Sequence, residues 1–229
     1  MSETPGSPGS STDATSRRRS TLIELAVLVV LSLLLVSGVK HFVVQVFYVP
    51  STSMEPTLAV DDRILVEKWS QGPYDRGDVV VFDDPGGWLS EADTPVASNP
   101  FTRALELVGL YPTTGHLVKR VIAVGGDRVA CCDPLGRVTV NGLALDEPYI
   151  PAGKPPSRIR FDSVVPADHY WLMGDNRDAS ADSRVHLGDP GGGMVPESDV
   201  VGRVWRIAWP PSRFGPVEVP AVFSEVPAP

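Results

Sequence analysis

Ser51, Thr52 and Ser53 form a row of hydroxyls in PSTSMEPTL, residues 50–58, with Pro50 before them and Met54 directly after. Such a run is either a plain turn or the home of a nucleophile, because an alcohol becomes reactive only when a neighbouring base takes its proton. The usual bases are not signposted. The four histidines, His41, His116, His169 and His186, are scattered, no G-x-S-x-G elbow surrounds a serine, and H-E-x-x-H is absent. A Ser-His-Asp triad would have to assemble in space without a local signature.

Lysine is scarcer and more telling. The chain has four, Lys40, Lys68, Lys119 and Lys154. Lys119 lies in HLVKRVIAVGG, the most continuous apolar run after residue 41, where strand alternation places Leu117, Val121 and Ala123 on its face. An ammonium in such surroundings loses hydration, which lowers its pKa from about 10.4 towards neutrality. A drop of ~2 units corresponds to roughly 3 kcal/mol against the charged form. The neutral amine then serves as a base for a serine. The plainer reading is also open: Arg120 shares the apolar neighbours, and a long side chain can snorkel to water from either face.

A third cluster, GDNRDASADSR at 174–184, follows the apolar YWLM. It reads as a solvated turn, or as a scaffold in which opposite charges fix a loop and aim Ser180 or Ser183 inward. A calcium loop fits poorly, since the glycine of the sharp turn and the distal glutamate are missing. Cys131 and Cys132 are adjacent, so two free thiols or one strained, reducible bond are the open states, and no zinc-type spacing surrounds them. No metal or other cofactor is expected.

These residues need elements to hold them. The first nineteen residues read as a disordered tail ending in Arg17, Arg18 and Arg19. Residues 20–40 carry no charge from Leu25 to Val39 and match the ~20 residues that cross a bilayer as a helix. The flanking arginines place the N-terminus in the cytoplasm and the remainder outside. A buried core helix is disfavoured because the run is apolar all round. A cleaved secretory signal, ending near Ser37 and Gly38, is disfavoured by the length of the apolar part.

Beyond the anchor, VVQVFYV, RILVEKW, GDVVVF, GHLVKRVIAV, GRVTVNG and VGRVWRIAWP are short runs rich in Val, Ile and aromatics between turn residues, which predicts strands. The expected domain is mostly β and spans 41–210, with an insertion at 83–115, a β-rich insertion or cap at about 128–165, and a polar tail at 211–229. Net charge is −8, and the first twenty residues contribute +1, leaving −9 for the rest. A domain that acidic lacks the cations that neutralise phosphates, which excludes nucleic acid as the partner.

Together these stretches resemble the bacterial type I signal peptidases, membrane-bound Ser/Lys endopeptidases that remove signal peptides from exported preproteins. PSTSMEPTL looks like the family's nucleophile box, RGDVVVF its following strand, VKRVIAVGGD its lysine box and GDNRDASADSR its last box, in the family's order and behind an anchor of matching orientation. The resemblance covers about 20–210. It implies an antiparallel, barrel-like sheet of the type shared with self-cleaving repressors.

It further implies that Ser53 is the nucleophile and Lys119 the general base. Ser51 and the Ser53 N–H would form the oxyanion hole, Ser180 would hydrogen-bond the lysine, and Asp175, Asp182 and Arg184 would brace the loop. Tyr48, Val49, Pro50, Met54, Leu117 and Val118 are the expected contacts for a substrate strand with small residues before the cut. Ala179 departs from the family, which usually has Asn there; Ser180 keeps its identity. Two other functions remain open: a self-cleaving Ser/Lys regulatory protein, and a membrane-tethered β-domain that binds peptides without cutting them.

Overall fold

In the computed structural model, residues 24–25, 27–32, 44–68, 72–89 and 115–229 are described. The chain divides into two units, residues 1–41 and 42–229. In the first, residues 24–25 and 27–32 are helical with exposed side chains. Among the described residues no helix is long and apolar enough to cross a membrane. The expected tail 1–19, most of the expected span 20–40 and most of the expected insertion 83–115 lie outside the described residues.

The second unit is mostly β, and its strands pair antiparallel. One sheet runs β1 (Val44–Tyr48), β2 (Arg63–Glu67), β11 (Val200–Trp209), β3 (Val79–Asp83), β4 (His116–Val124), β9 (His169–Met173) and β10 (Val195–Pro196), with β12 (Gly215–Pro216) also on β11. A smaller sheet runs β7 (Leu143–Ala144), β6 (Val138–Val140), β5 (Arg128–Cys131) and β8 (Phe161–Val164). Cys131 and Cys132, at the end of β5, are bonded to each other.

Alternation explains the first sheet's shape. Ile64 and Val66 of β2 and Val79 and Val81 of β3 turn the same way and form one core with Phe47, Met54 and Leu58, joined by Val204 and Ile207 of β11 across a register shift between Val204 and Arg206. Flat strands four places apart would be about 19 Å distant. The ring of Phe47 on β1 nevertheless meets that of His116 on β4 edge-on, with centroids 5.2 Å apart. The sheet therefore curls around its Val/Ile-rich face into a partly closed barrel. Val80 and Phe82 point out the other side, into a second core with Val121, Tyr170 and Leu172. A third core, built on Ile122, Val129, Val140, Phe161 and Trp171, joins the two sheets.

Candidate active site

β1 stops at Tyr48 because Val49 turns its backbone to the loop opposite, with its N–H to the Asp62 carbonyl at 2.9 Å and its own carbonyl accepting from Asp61 N–H at 3.0 Å. Pro50 then offers no donor to continue a ladder. Ser51 is extended, and Thr52–Met54 closes a 3₁₀ turn. Met54, 1% exposed, and Leu58 drive this turn into the barrel core. Burying a side chain of that size stabilises by about 2 kcal/mol. Ser53, one residue before the anchor, is thereby held with 7% exposure, and the Ser51 and Ser53 Oγ atoms are 3.2 Å apart.

β4 supplies the partner. Its register with β3 sets Lys119 opposite Val80, and the strand is buried without interruption from Lys119 to Ala123. Lys119 Nζ lies 2.9 Å from Ser53 Oγ and 3.1 Å from the Val118 carbonyl. Burial lowers the amine's pKa from 10.5 to about 8, with Arg184 adding to the drop and Asp182 and Asp175 pulling the other way. Arg120 does not snorkel. It is 1% exposed and binds Asp175 through Nε at 2.9 Å and Nη2 at 2.7 Å, because both faces of this strand are covered.

The run 174–184 wraps the turn that carries Ser53. Asn176 donates from its backbone to the Ser53 carbonyl at 3.0 Å and from Nδ2 to the Thr52 carbonyl at 3.1 Å. Asp182 takes Arg184 Nε at 2.8 Å, Arg184 Nη2 at 2.7 Å and the Gly174 N–H at 3.0 Å. Burial pushes the Asp182 carboxyl up, but the Arg184 contacts and the Gly174 N–H outweigh it and hold the pKa below the ordinary value. Each aspartate of the run is claimed by a cation: Asp175 by Arg120, Asp178 by Lys154 and Arg158, and Asp182 by Arg184. That pattern suits a braced loop better than a calcium loop.

Gly174 is where backbone and hydroxyl approach most closely. A Cβ there would lie 2.3 Å from Ser180 Oγ and 2.5 Å from the Ser53 carbonyl, so no other residue fits without moving the turn.

Three expectations need correction. Ser180 is buried and makes no hydrogen bond to Lys119; its hydroxyl is turned to Asp182, where it helps hold that carboxyl's pKa down, so it does not hold the lysine. Val118's carbonyl and Ser53 do that instead. Val49 and Met54 face the core, which leaves them no side-chain surface for a substrate. Tyr48 and Pro50 are exposed, with the Tyr48 hydroxyl bonded to Asp61, and Leu117 and Val118 are half-buried.

Sequence reasoning missed Thr57, Arg120, Glu147, Tyr149 and Arg177. The Thr57 hydroxyl donates to Asp175. The Arg120 guanidinium lies over the Tyr149 ring at 4.4 Å. The Tyr149 hydroxyl donates to Glu147 at 2.6 Å, Glu147 pairs with Arg177, and Arg177 Nε returns to the Gly174 carbonyl at 3.0 Å. Burial is the main cause lifting the Tyr149 pKa well above its ordinary value, so the phenol stays neutral. The only local signal was a second cation beside Lys119 in an apolar run.

Two strand edges near this site have no strand partner among the described residues. β9 begins pairing with β4 at Arg120, so residues 116–119 have no strand on that side among the described residues. Among the described residues β1 likewise pairs with β2 alone.

A family model described as signal peptidase, peptidase S26, matches residues 22–209. A protein of Mycobacterium tuberculosis named signal peptidase I is 42% identical over 226 residues, covering 87% of this chain and 76% of its own. A probable signal peptidase I of Mycobacterium leprae is 38% identical, covering 88% and 81%. A signal peptidase I of Leptolyngbya laminosa is 35% identical over 96% of both chains.

Proposed function

This chain belongs to the signal peptidase, peptidase S26, family, and on that premise we propose that it is a serine endopeptidase that removes signal peptides from exported preproteins. The observation that carries the chemistry is the 2.9 Å approach of a buried, base-poised Lys119 amine to Ser53 Oγ.

The neutral amine takes the Ser53 proton as Oγ bonds to the scissile carbonyl carbon. The Ser51 hydroxyl and the Ser53 N–H stabilise the oxyanion, a contribution typically worth ~3–4 kcal/mol. The tetrahedral species collapses with loss of the peptide nitrogen, which receives the proton from Lys119. Water, deprotonated by the same amine, then attacks the acyl-serine, and the proton returns to Oγ. Asp175, Asp182 and Arg184 act on none of these atoms; they fix the loop against which Ser53 is held.

Substrate pairs as an added strand along the open edges of β4 at residues 116–119 and of β1. Leu117 and Val118 present half-buried side chains at the first edge, and Tyr48 and Pro50 lie at the exit of the second. No metal, cofactor or nucleic acid takes part in this scheme.

Residues 20–40 anchor the chain in the cell membrane, with the N-terminus cytoplasmic and the peptidase domain outside. In keeping with a neighbouring bilayer, several aromatics of the domain are exposed: Tyr48, Arg63 and Trp209 are neighbours across three strands, and the Arg206 guanidinium lies 5.1 Å from both the Trp205 and Phe214 rings. Aromatic and basic side chains of this kind suit a lipid headgroup layer.

Preprotein cleavage in lipid vesicles by Ser53→Ala and Lys119→Ala variants tests the scheme. Both are expected to be inactive; activity kept by either one rejects it, and cutting confined to the chain itself favours a self-cleaving regulator.

A further inference from the structure

We infer that the C-terminal segment, residues 211–229, is a strap that positions the Ser53–Lys119 pair from behind, with Arg213 and Phe223 as its positioning residues. This rests on the peptidase reading above. Sequence gave the segment the character of a polar tail, yet Phe223 and Val226 are buried in the core between the two sheets.

The strap grips the site at two places. Near its start, Arg213 Nε donates to both Asp62 oxygens at 3.0 and 3.1 Å, and Nη2 donates to the Thr57 carbonyl at 3.0 Å. Asp62 also receives the Ala59 N–H at 2.8 Å. Arg213 therefore clamps residues 57–62, the stretch that leaves the nucleophile turn and includes Thr57, whose hydroxyl reaches Asp175.

Further on, the strap closes over Arg120. The Glu218 carbonyl accepts from Arg120 Nη1 at 3.3 Å, and the Gly77 carbonyl accepts from the same nitrogen at 2.7 Å. Gly77 has φ +89°, and a Cβ on it would lie 2.6 Å from the Phe223 ring and 2.7 Å from Val219, so the strap presses directly on that backbone. Phe223 stacks on Tyr149 with centroids 6.3 Å apart, and Tyr149 carries the Arg120 guanidinium on its ring. The Pro227 carbonyl accepts from Asn141 Nδ2 at 2.9 Å, which fastens the far end.

The Arg213, Glu218 and Phe223 contacts lead to the same pair. Arg120 holds Asp175, and its neighbour Asn176 holds the Ser53 carbonyl. Loosening the strap hydrates Arg120 and Asp175 and releases the loop that registers Ser53 against Lys119. A small misplacement of reacting groups is costly in rate.

The test compares preprotein cleavage by the full chain with that of Phe223→Ala, Phe223→Leu and Arg213→Ala, with competent Ser53 counted by an acylating inhibitor. Per labelled serine, kcat is expected to fall about ten- to a hundredfold in Phe223→Ala and Arg213→Ala, with KM changed less than about twofold. In Phe223→Ala the alkaline midpoint of kcat should climb above the wild-type value as water nears Lys119, because burial outweighs the charges of Asp175, Asp182 and Arg184 on the loosened loop. Phe223→Leu should recover most of the rate. Wild-type kcat and midpoint in both alanine variants would overturn the proposal; if Phe223→Ala does not fold, kcat in Arg213→Ala decides it. A wild-type chain that leaves preproteins uncut overturns the peptidase reading and the strap with it, a result distinct from active wild type with unaffected variants.

Discussion

Lys119 and Arg120 are consecutive on β4, both almost fully buried, and the fold treats their charges in opposite ways. Arg120 is matched by the Asp175 carboxylate and two backbone carbonyls. Lys119 meets a hydroxyl and one carbonyl, with no carboxylate among the described residues in contact. A buried guanidinium stays charged and must be paired; a buried amine left with neutral partners gives up its proton more easily. One strand thus carries a structural cation and a base side by side.

Asp175→Asn removes the partner of a buried guanidinium while keeping the side chain's size. Breaking such a pair from one side costs about 3–5 kcal/mol. Urea unfolding monitored by tryptophan fluorescence should show a loss of that order, together with reduced cleavage, because Asn176 and the Ser53 carbonyl move with residue 175.

Lys119→Met should abolish cleavage yet stabilise the fold at neutral pH. In the wild type the amine titrates at about 8 in the folded protein against 10.5 in its ordinary state. Below pH 8 both folded and unfolded chains hold the proton, and the folded state bears the full cost of about 3 kcal/mol. Between pH 8 and 10.5 the unfolded chain binds more proton, so wild-type stability rises with pH, and the advantage of the methionine variant shrinks away. Stability curves for the two proteins at pH 7 and above pH 10 check the sign.

Gly174→Ala places a methyl 2.3 Å from Ser180 Oγ and 2.5 Å from the Ser53 carbonyl. The expected outcome is a folded protein whose Ser53 is displaced, with cleavage lowered about a hundredfold and Tm lowered modestly. Labelling of Ser53 by an acylating inhibitor should slow in parallel.

What sequence could show here was local and periodic. Val/Ile-rich runs between turn residues marked β2, β3, β4 and β11, and the hydroxyl row, the lysine in its apolar strand and the Asp/Arg-rich run marked three pieces of the site. The likeness to a known family joined them. Contacts made across the fold left no such trace. Arg120 next to Lys119 gave no sign that its partner was Asp175, since nothing local links β4 to the loop after β9. Val49 and Met54 were expected to contact a substrate strand, yet in each case the backbone turns the side chain into the barrel. Ser180 is buried against Gly174, but without the expected bond to the lysine. The 211–229 segment lacked periodicity, and only its packing reveals Phe223 as a core residue.

The most direct measurement is the pH dependence of Ser53 acylation by a mechanism-based inhibitor, in wild type and in Lys119→Ala. The expected result is a single rise with a midpoint of about 8, the value set by burial of the Lys119 amine, and no labelling in the variant. A midpoint near the histidine range of about 6.5, or labelling that persists without Lys119, would contradict a neutral lysine as the base for Ser53.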